Sequence, residues 1–258
     1  MKTPGKILVA LLLFASLGCN HLPGKPGFRP ETQRPDQTHD FATLYKTNCS
    51  ACHGDNGRNG PALPLNNPVY LAWAGHDAIQ VIVSNGVPHR LMPAFGAGAG
   101  GLLTAEQVED IVDGMIKSWG KPDVLGRQNS PAYNPGSPGD ATQGQAVFQR
   151  NCAQCHGADG KGVAGGPPHV TGSIVDPSYL ALISSRGLRD VIVAGIPEQK
   201  MPDWRGESDG KPMTDREVTD VVAWLVSQRT PHPGTTVTPA DKRKDQAAIA
   251  PVQSRGRR

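Results

Sequence analysis

Aromatic side chains and charge are both scarce in this chain of 258 residues, and each shortage excludes a class of protein. Phenylalanine, tyrosine and tryptophan make up only 5% of the residues, so any core is thin for the length of the chain. Charged residues at 19% are too few for a coiled coil or a chain kept disordered by charge. The net charge of +3 comes from Lys2, Lys6 and the basic tail 231–258, and the remainder is mildly acidic. We therefore expect no binding to nucleic acid.

Long hydrophobic runs are also lacking, and the one apolar stretch has the form of an export signal. Lys2 and Lys6 precede the apolar run 7–17, which is shorter than the roughly 20 residues that a membrane-spanning helix needs. The segment Ser16-Leu-Gly-Cys19 resembles a bacterial lipoprotein cleavage box, although that family usually has Leu where this chain has Ser16. Four of the five cysteines fall into two pairs, which leaves Cys19 for lipidation. A conventional cleaved signal is the alternative.

An internal repeat is the strongest organisational signal. Residues 48–54 match residues 151–157, and Met92-Pro follows Gly86 as Met201-Pro follows Gly195. A stretch rich in Gly, Pro, Asn and Ser separates the two copies. The predicted order is a signal peptide, a flexible tether, a first domain, a linker, a second domain and a disordered basic tail, over 1–19, 20–37, 38–122, 123–140, 141–230 and 231–258.

Both copies have the pattern of an all-α domain. Helices are predicted over 44–52 and 146–155, followed by short middle helices over 77–83 and 188–193. The last helices open after Thr104 and Thr214, where a threonine N-cap precedes apolar residues at helical spacing. The alternation of apolar and polar residues that is typical of strands is lacking.

The motif that carries chemistry is Cys-x-x-Cys-His, which occurs once in each copy. Its residues are Cys49, Cys52 and His53 in the first copy and Cys152, Cys155 and His156 in the second. On a helix, such cysteines share a face with the histidine, so a planar ring can be held at two positions while the imidazole reaches its central iron. This is the pattern of c-type haem attachment.

Three other interpretations of the paired cysteines are open. The two pairs are too far apart in sequence for a zinc ribbon, and a thioredoxin-like dithiol would need a βαβ context. Structural disulfides suit an exported protein but do not require a histidine after each pair. Haem attachment explains every residue of the motif.

With these motifs in order and repeated, both copies resemble class I c-type cytochromes. The resemblance implies two covalently bound haem c groups, with a few helices wrapped round each. It implies His53 and His156 as the proximal iron ligands and Met92 and Met201, from the loop before the last helix, as the distal ones. A thioether favours Fe(II) and fills the sixth position, so such a haem carries electrons rather than O₂.

The resemblance also implies support for the iron ligands. In this family the proximal histidine donates its other ring N–H to a carbonyl in a following Gly-Pro loop, which assigns Pro61 and Pro167. The rival iron ligands are His76, His89 and His169, and none of them recurs at an equivalent place in the other copy.

The crossing of the first and last helices differs between the copies. In this family a small residue on the first helix meets an aromatic residue on the last, as Gly144 and Trp224 do in the second copy. The first copy aligns Phe41 and Gly114 with them, so the sizes are exchanged. We predict that both crossings keep one large and one small partner. The alternative is that the first helix begins after Phe41.

The sequence therefore predicts a periplasmic, membrane-anchored dihaem electron carrier with no catalytic residue. It would pass electrons by outer-sphere transfer between respiratory or other redox proteins, which are its expected partners together with the membrane. Two alternatives are kept: a haem-bearing subunit of a membrane oxidase or dehydrogenase, and a dihaem peroxidase or thiosulfate-oxidising enzyme. The enzymes would need a haem without methionine, whereas both copies offer one.

Overall fold

The structure is a computed structural model that describes residues 33–163, 172–206 and 211–231. One compact unit begins at His39 and contains both copies of the repeat, and residues 33–38 of the preceding unit hold a 3-10 turn, Pro35–Gln37. Over the described ranges the chain forms helices and two isolated β-bridges but no strand, which confirms the all-α prediction. None of the helices in these ranges is long and apolar enough to cross a membrane.

The first copy contains two short and two long helices. They are α1 (Phe41–Asn48), α2 (Ser50–His53), α3 (Pro68–Asn85) and α4 (Ala105–Trp119). α1 begins earlier than predicted because the Asp40 side chain caps it by accepting from the amide of Thr43. α3 is longer than the predicted 77–83 because it continues across a kink at Gly75, where φ is +74°.

The second copy repeats this order with one further break. Its helices are α5 (Ala141–Asn151), α6 (Ala153–His156), α7 (Pro177–Leu182), α8 (Ser185–Ala194) and α9 (Asp215–Ser227). Ser184 starts α8 as an N-cap, accepting from the amide of Gly187, so that two helices stand where the first copy has the kinked α3. Both α4 and α9 begin with a complete capping box, from Thr104 and Thr214.

The crossing of the first and last helices is as predicted in both copies. A Cβ on Gly114 of α4 would lie 2.2 Å from the ring of Phe41, so the ring fills the space beside the glycine. A Cβ on Gly144 of α5 would lie 1.9 Å from the Asp220 carbonyl oxygen and 3.0 Å from the Cβ of Trp224. Each crossing therefore joins one large and one small residue, with their order exchanged between the copies.

A tryptophan that the sequence argument did not single out completes the first crossing. The ring of Trp119, at the end of α4, packs edge-on at 5.6 Å from Phe41 and 5.1 Å from Tyr45. The tip of its ring lies 3.0 Å from the position that a Cβ on Gly57 would take. In the second copy, the tip of the Trp224 ring lies 3.4 Å from the position of a Cβ on Gly160, the equivalent glycine. Trp119 thus occupies the place that Trp224 has in the second copy.

The two copies pack against each other. α3 of the first copy contacts α8 of the second. One core cluster combines most of the buried apolar residues of the first copy with four from the second, namely Val193, Ala194, Trp204 and Val218. The copies therefore share part of a core.

The segment 123–140 lies between the copies and is held by both. The indole N–H of Trp73 in α3 donates to the carbonyl of Pro131 at 2.6 Å. The next carbonyl, that of Ala132, accepts from Nε of Arg189 in α8 at 3.0 Å. Consecutive carbonyls of this segment are thus bonded to one helix of each copy.

Candidate haem sites

Each Cys-x-x-Cys-His motif forms a single helical turn directly after the first helix of its copy. The amide of Cys49 closes α1 by donating to Tyr45 at 2.8 Å, and the amide of His53 donates to the Cys49 carbonyl at 3.0 Å. The corresponding bonds in the second copy measure 2.8 Å and 2.9 Å. The two turns are therefore alike, and each brings its cysteines and histidine together.

The four cysteines of the motifs occur as thiols rather than as disulfides. Burial raises the pKa of the Cys49 thiol to about 11 and that of Cys152 to about 12. Thiols with such pKa values are protonated at neutral pH, whereas a redox-active dithiol works through a thiolate of lowered pKa. The raised thiol pKa values thus disfavour the thioredoxin-like alternative.

The ring of His53 is oriented by a backbone carbonyl, although not by the predicted one. Its Nδ1 lies 2.8 Å from the carbonyl oxygen of Leu63, two residues beyond Pro61. The amide of Ala62 donates to Cys52 at 2.9 Å, and the loop so fixed brings the Leu63 carbonyl to the ring. Burial lowers the pKa of His53, so its imidazole is neutral at neutral pH. A neutral ring with Nδ1 engaged leaves Nε2 for iron.

His156 offers the same chemistry in the second copy. Burial lowers the pKa of this imidazole as well. Its Nδ1 is buried and has no hydrogen-bond partner within the described ranges. Pro167 and His169 lie in the stretch 164–171, which is outside the described residues. Cys19 is also outside them, in the stretch 1–32.

The loops that carry Met92 and Met201 are built alike. The amide of Val87 donates to the Met92 carbonyl at 3.0 Å, and that of Ile196 donates to the Met201 carbonyl at the same distance. Both methionines are half-buried, and Met92 packs against the core cluster. The repeat thus places the two predicted distal ligands equivalently, each in a loop that folds back on the end of its middle helix.

Glycine is required where these loops fold back. Gly86 and Gly195 end α3 and α8 with φ of 68° and 67°. A Cβ at Gly86 would lie 2.5 Å from the carbonyl carbon of Pro93, and one at Gly195 would lie 2.6 Å from the Met201 carbonyl oxygen. A side chain would therefore be strained and would push the methionine loop away.

Two of the histidines considered as alternative iron ligands, His76 and His89, have other surroundings. Nε2 of His76, at the kink of α3, lies 3.3 Å from Asp113 and 3.5 Å from Glu109, two carboxylates of α4. His89 is exposed in the turn before Met92, with φ of 58°. His76 therefore has carboxylate partners, and His89 faces solvent.

A model of one protein family covers both copies. It is described as "Cytochrome C oxidase, cbb3-type, subunit III", and it matches residues 36–113 and 139–225, which is more than half of the chain. The chain belongs to this family. Members of this cbb3 subunit III family are dihaem c-type cytochromes with covalently bound haem c, and the two Cys-x-x-Cys-His turns with neutral, half-buried imidazoles fit two such groups.

Similar curated proteins are also described as subunits of cbb3-type cytochrome c oxidases. The cbb3-type cytochrome c oxidase subunit FixPc of Rhizobium leguminosarum bv. viciae is 32% identical over 178 residues, 64% of this chain and 53% of the relative. The CcoP subunit of Cereibacter sphaeroides is 28% identical over 147 residues, covering 53% and 46%. The chain spans about half the length of these curated relatives.

Proposed function

We propose that this chain is a dihaem electron-transfer subunit that passes electrons within a membrane oxidase complex. The sequence alone favours a carrier that acts alone, but the family and the relatives, all described as oxidase subunits, support the subunit instead. The observation that carries the proposal is that the same site is built twice within one packed body. Such a pair suits transfer of electrons in sequence rather than catalysis.

Each residue of the motif has a defined role in the proposal. Cys49 and Cys52 attach one haem, and Cys152 and Cys155 the other. When bound, each haem supplies an iron that cycles between Fe(III) and Fe(II). The imidazoles of His53 and His156 would bind that iron through Nε2.

Two further contributions come from the surrounding chain. The carbonyl of Leu63 holds the ring of His53 in one orientation by accepting from Nδ1, which limits rearrangement when the iron changes charge. Met92 and Met201 would each bind an iron as its distal ligand and would so exclude water and O₂ from it. A dihaem peroxidase or thiosulfate-oxidising enzyme needs an open or labile position, and two equivalent methionine loops argue against one.

A stepwise redox titration of the haem-loaded protein tests the proposal. Visible spectra should show two low-spin haems that are reduced in separate steps, with the weak band at the red end that reports Fe(III)–methionine bonds. A high-spin haem in the resting protein would instead favour the enzyme. Co-purification of an oxidase with the tagged chain would distinguish a subunit from a carrier that acts alone.

We also propose that the chain is exported to the periplasm and anchored through a lipid on Cys19. The charged and apolar amino terminus and the odd cysteine support this. Mass spectrometry of the mature protein extracted from membranes should show Cys19 at the amino terminus with a lipid attached, and Cys19→Ser should lack that added mass. A mature protein whose Cys19 carries no lipid would contradict the lipid anchor.

A further inference from the structure

The side-chain amide of Asn67 joins the two haem domains directly. Asn67 immediately precedes α3 in the first copy, and its side chain is buried, with an exposed fraction of 3%. Its Nδ2 donates to the carbonyl of Ala194 at 2.9 Å and to that of Gly195 at 3.1 Å. These carbonyls stand at the end of α8, where a helix leaves its last carbonyls without partners of its own.

The other end of the same amide is used within the first copy. Its Oδ1 accepts from the amide of Val69 at 2.9 Å and from that of Tyr70 at 3.3 Å, which caps α3. Asn67 therefore starts a helix of one domain and closes a helix of the other. A buried polar group with both ends engaged costs free energy if either partner is removed.

The repeat supplies an internal comparison. Asp176 occupies the place of Asn67 in the second copy, with proline next in both. It caps α7 by accepting from the amides of Ser178 and Tyr179 at 2.8 Å and 3.0 Å, and its side chain is exposed. A carboxylate is sufficient for a cap, but it has no N–H to donate. The copies thus differ in the functional group that the contact between domains requires.

The carbonyls that Asn67 holds lead directly to Met201. Gly195 is followed by Ile196, whose amide donates to Met201 at 3.0 Å and whose carbonyl accepts from Met201 at 3.1 Å. A shift at Gly195 would therefore move the backbone that carries the methionine.

On its other side, Asn67 follows the loop that orients the first haem histidine. The amides of Leu65 and Asn66 donate to the Gly57 carbonyl at 2.8 Å and 3.2 Å, and Leu63 accepts from the ring of His53 at 2.8 Å. A short, hydrogen-bonded stretch of backbone thus runs from the proximal side of one site to Asn67.

We propose that Asn67 is a positioning residue that ties the Met201 loop of the second haem domain to the His53 loop of the first, and so holds Met201 on its iron. This rests on the proposed function, which makes Met201 a ligand. The consequence is asymmetric: Asn67 supports the distal ligand of the second haem and not that of the first.

The test compares Asn67→Asp with Asp176→Asn in the haem-loaded protein. Asn67→Asp keeps the cap of α3 but replaces the donor with a group that repels both carbonyls. Hydrogen exchange at the amides of Ile196 and Met201 should accelerate about tenfold, as expected when a buried hydrogen bond is lost. Asp176→Asn keeps the cap of α7 and should leave the exchange rates of the Ile196 and Met201 amides unchanged. Asn67→Ser makes the same comparison without a buried charge if Asn67→Asp does not accumulate.

Visible spectra distinguish a positioning effect on Met201 from a general loss of stability that affects both haem sites. In a Met92→Ala background the band at the red end reports the second haem alone, and Asn67→Asp should weaken it. In a Met201→Ala background it reports the first haem, and Asn67→Asp should leave it unchanged. Unaltered exchange in Asn67→Asp, or equal weakening at both haems, would overturn the proposal. Absence of the band in the unmodified protein would instead contradict the proposed function, and the exchange result would still decide whether Asn67 holds the loop.

Discussion

At the scale of single residues, their surroundings distinguish the two methionines proposed as iron ligands from a methionine of the core. Met92 and Met201 lie half-buried in equivalent loops, each directly before a proline, whereas Met115 is 1% exposed on the inner face of α4. A side chain that fills space and one that binds iron respond differently to truncation, because the first loses packing and the second loses a bond.

Truncation of these methionines should therefore give opposite results. Met201→Ala would remove the proposed distal ligand of one haem, so we expect half of the red-end band to disappear, a high-spin component and a lower potential for that haem. Met115→Ala should cost about 2–5 kcal/mol of stability and leave the visible spectrum unchanged. Visible spectra and thermal unfolding of both holo-variants check this. Loss of the band in Met115→Ala would contradict the assignment.

A buried carboxyl makes stability depend on pH. Asp190 of α8 is 4% exposed, and burial raises its pKa from 3.8 to about 7 against the opposing effect of Arg186 and Arg189. The unfolded chain ionises at lower pH than the folded one, so this group lowers stability progressively as pH rises from about 4 to about 7.

Replacement of this carboxyl should remove that dependence. Relative to the parent protein, Asp190→Asn should gain stability on the order of 3 kcal/mol between pH 4 and pH 7. Denaturant unfolding at a series of pH values measures the difference, with the exposed Asp77→Asn as the control. A difference between parent and Asp190→Asn that stays constant with pH would contradict the raised pKa.

Residue types and spacing predicted candidate iron ligands but not the groups that support them. The motifs named His53 and Met92 because their chemistry is local in sequence. The Leu63 carbonyl was missed because any backbone carbonyl can accept a hydrogen bond, so only the course of the loop selects one. Asn67 was missed because Asn before Pro is sufficiently explained as a helix cap, and its second set of partners lies in the other domain.

At the scale of helices, volume is conserved at the crossings while residue positions are not. The exchange of sizes at Phe41 and Gly114 was predictable because the repeat aligns both helices. Trp119 was not, because its aligned counterpart in the second copy is Arg229 and its ring reaches the crossing from further along α4. The sequence repeat thus predicts that the first and last helices of each copy pack together. Only the three-dimensional structure shows which side chain fills the space at their crossing.

Filling the first crossing should destabilise the helix pair. A Cβ at Gly114 would lie 2.2 Å from the ring of Phe41, so Gly114→Ala should cost about 1–3 kcal/mol. Gly98→Ala, where a Cβ meets nothing within 4 Å, is the matched control. In a double-mutant cycle Phe41→Leu should recover part of the loss, because the smaller side chain can move aside. Additive losses in thermal unfolding would show that the two residues do not share the crossing.

At the scale of the molecule, the linker was the least predictable part. Its Gly, Pro, Asn and Ser content indicated a loop, and composition alone does not show that Pro131 and Ala132 are bonded to α3 and α8. Contacts between domains are distant in sequence and leave no periodic signal. The shared core fixes the two candidate haem sites in one body rather than on a tether.

Shared packing should make the two haem domains unfold together. We expect one thermal transition for the holo-protein, followed both by haem absorbance and by helical circular dichroism. Trp73→Phe removes the indole N–H that donates to Pro131 and leaves a buried carbonyl unpaired, which should cost about 1–3 kcal/mol. Because the domains are coupled, that loss should lower the whole transition, whereas Leu102→Ala, at a side chain 95% exposed, should not move it. Two resolved transitions, of which Trp73→Phe shifts only one, would show that each domain folds independently and that the contact at segment 123–140 does not couple them.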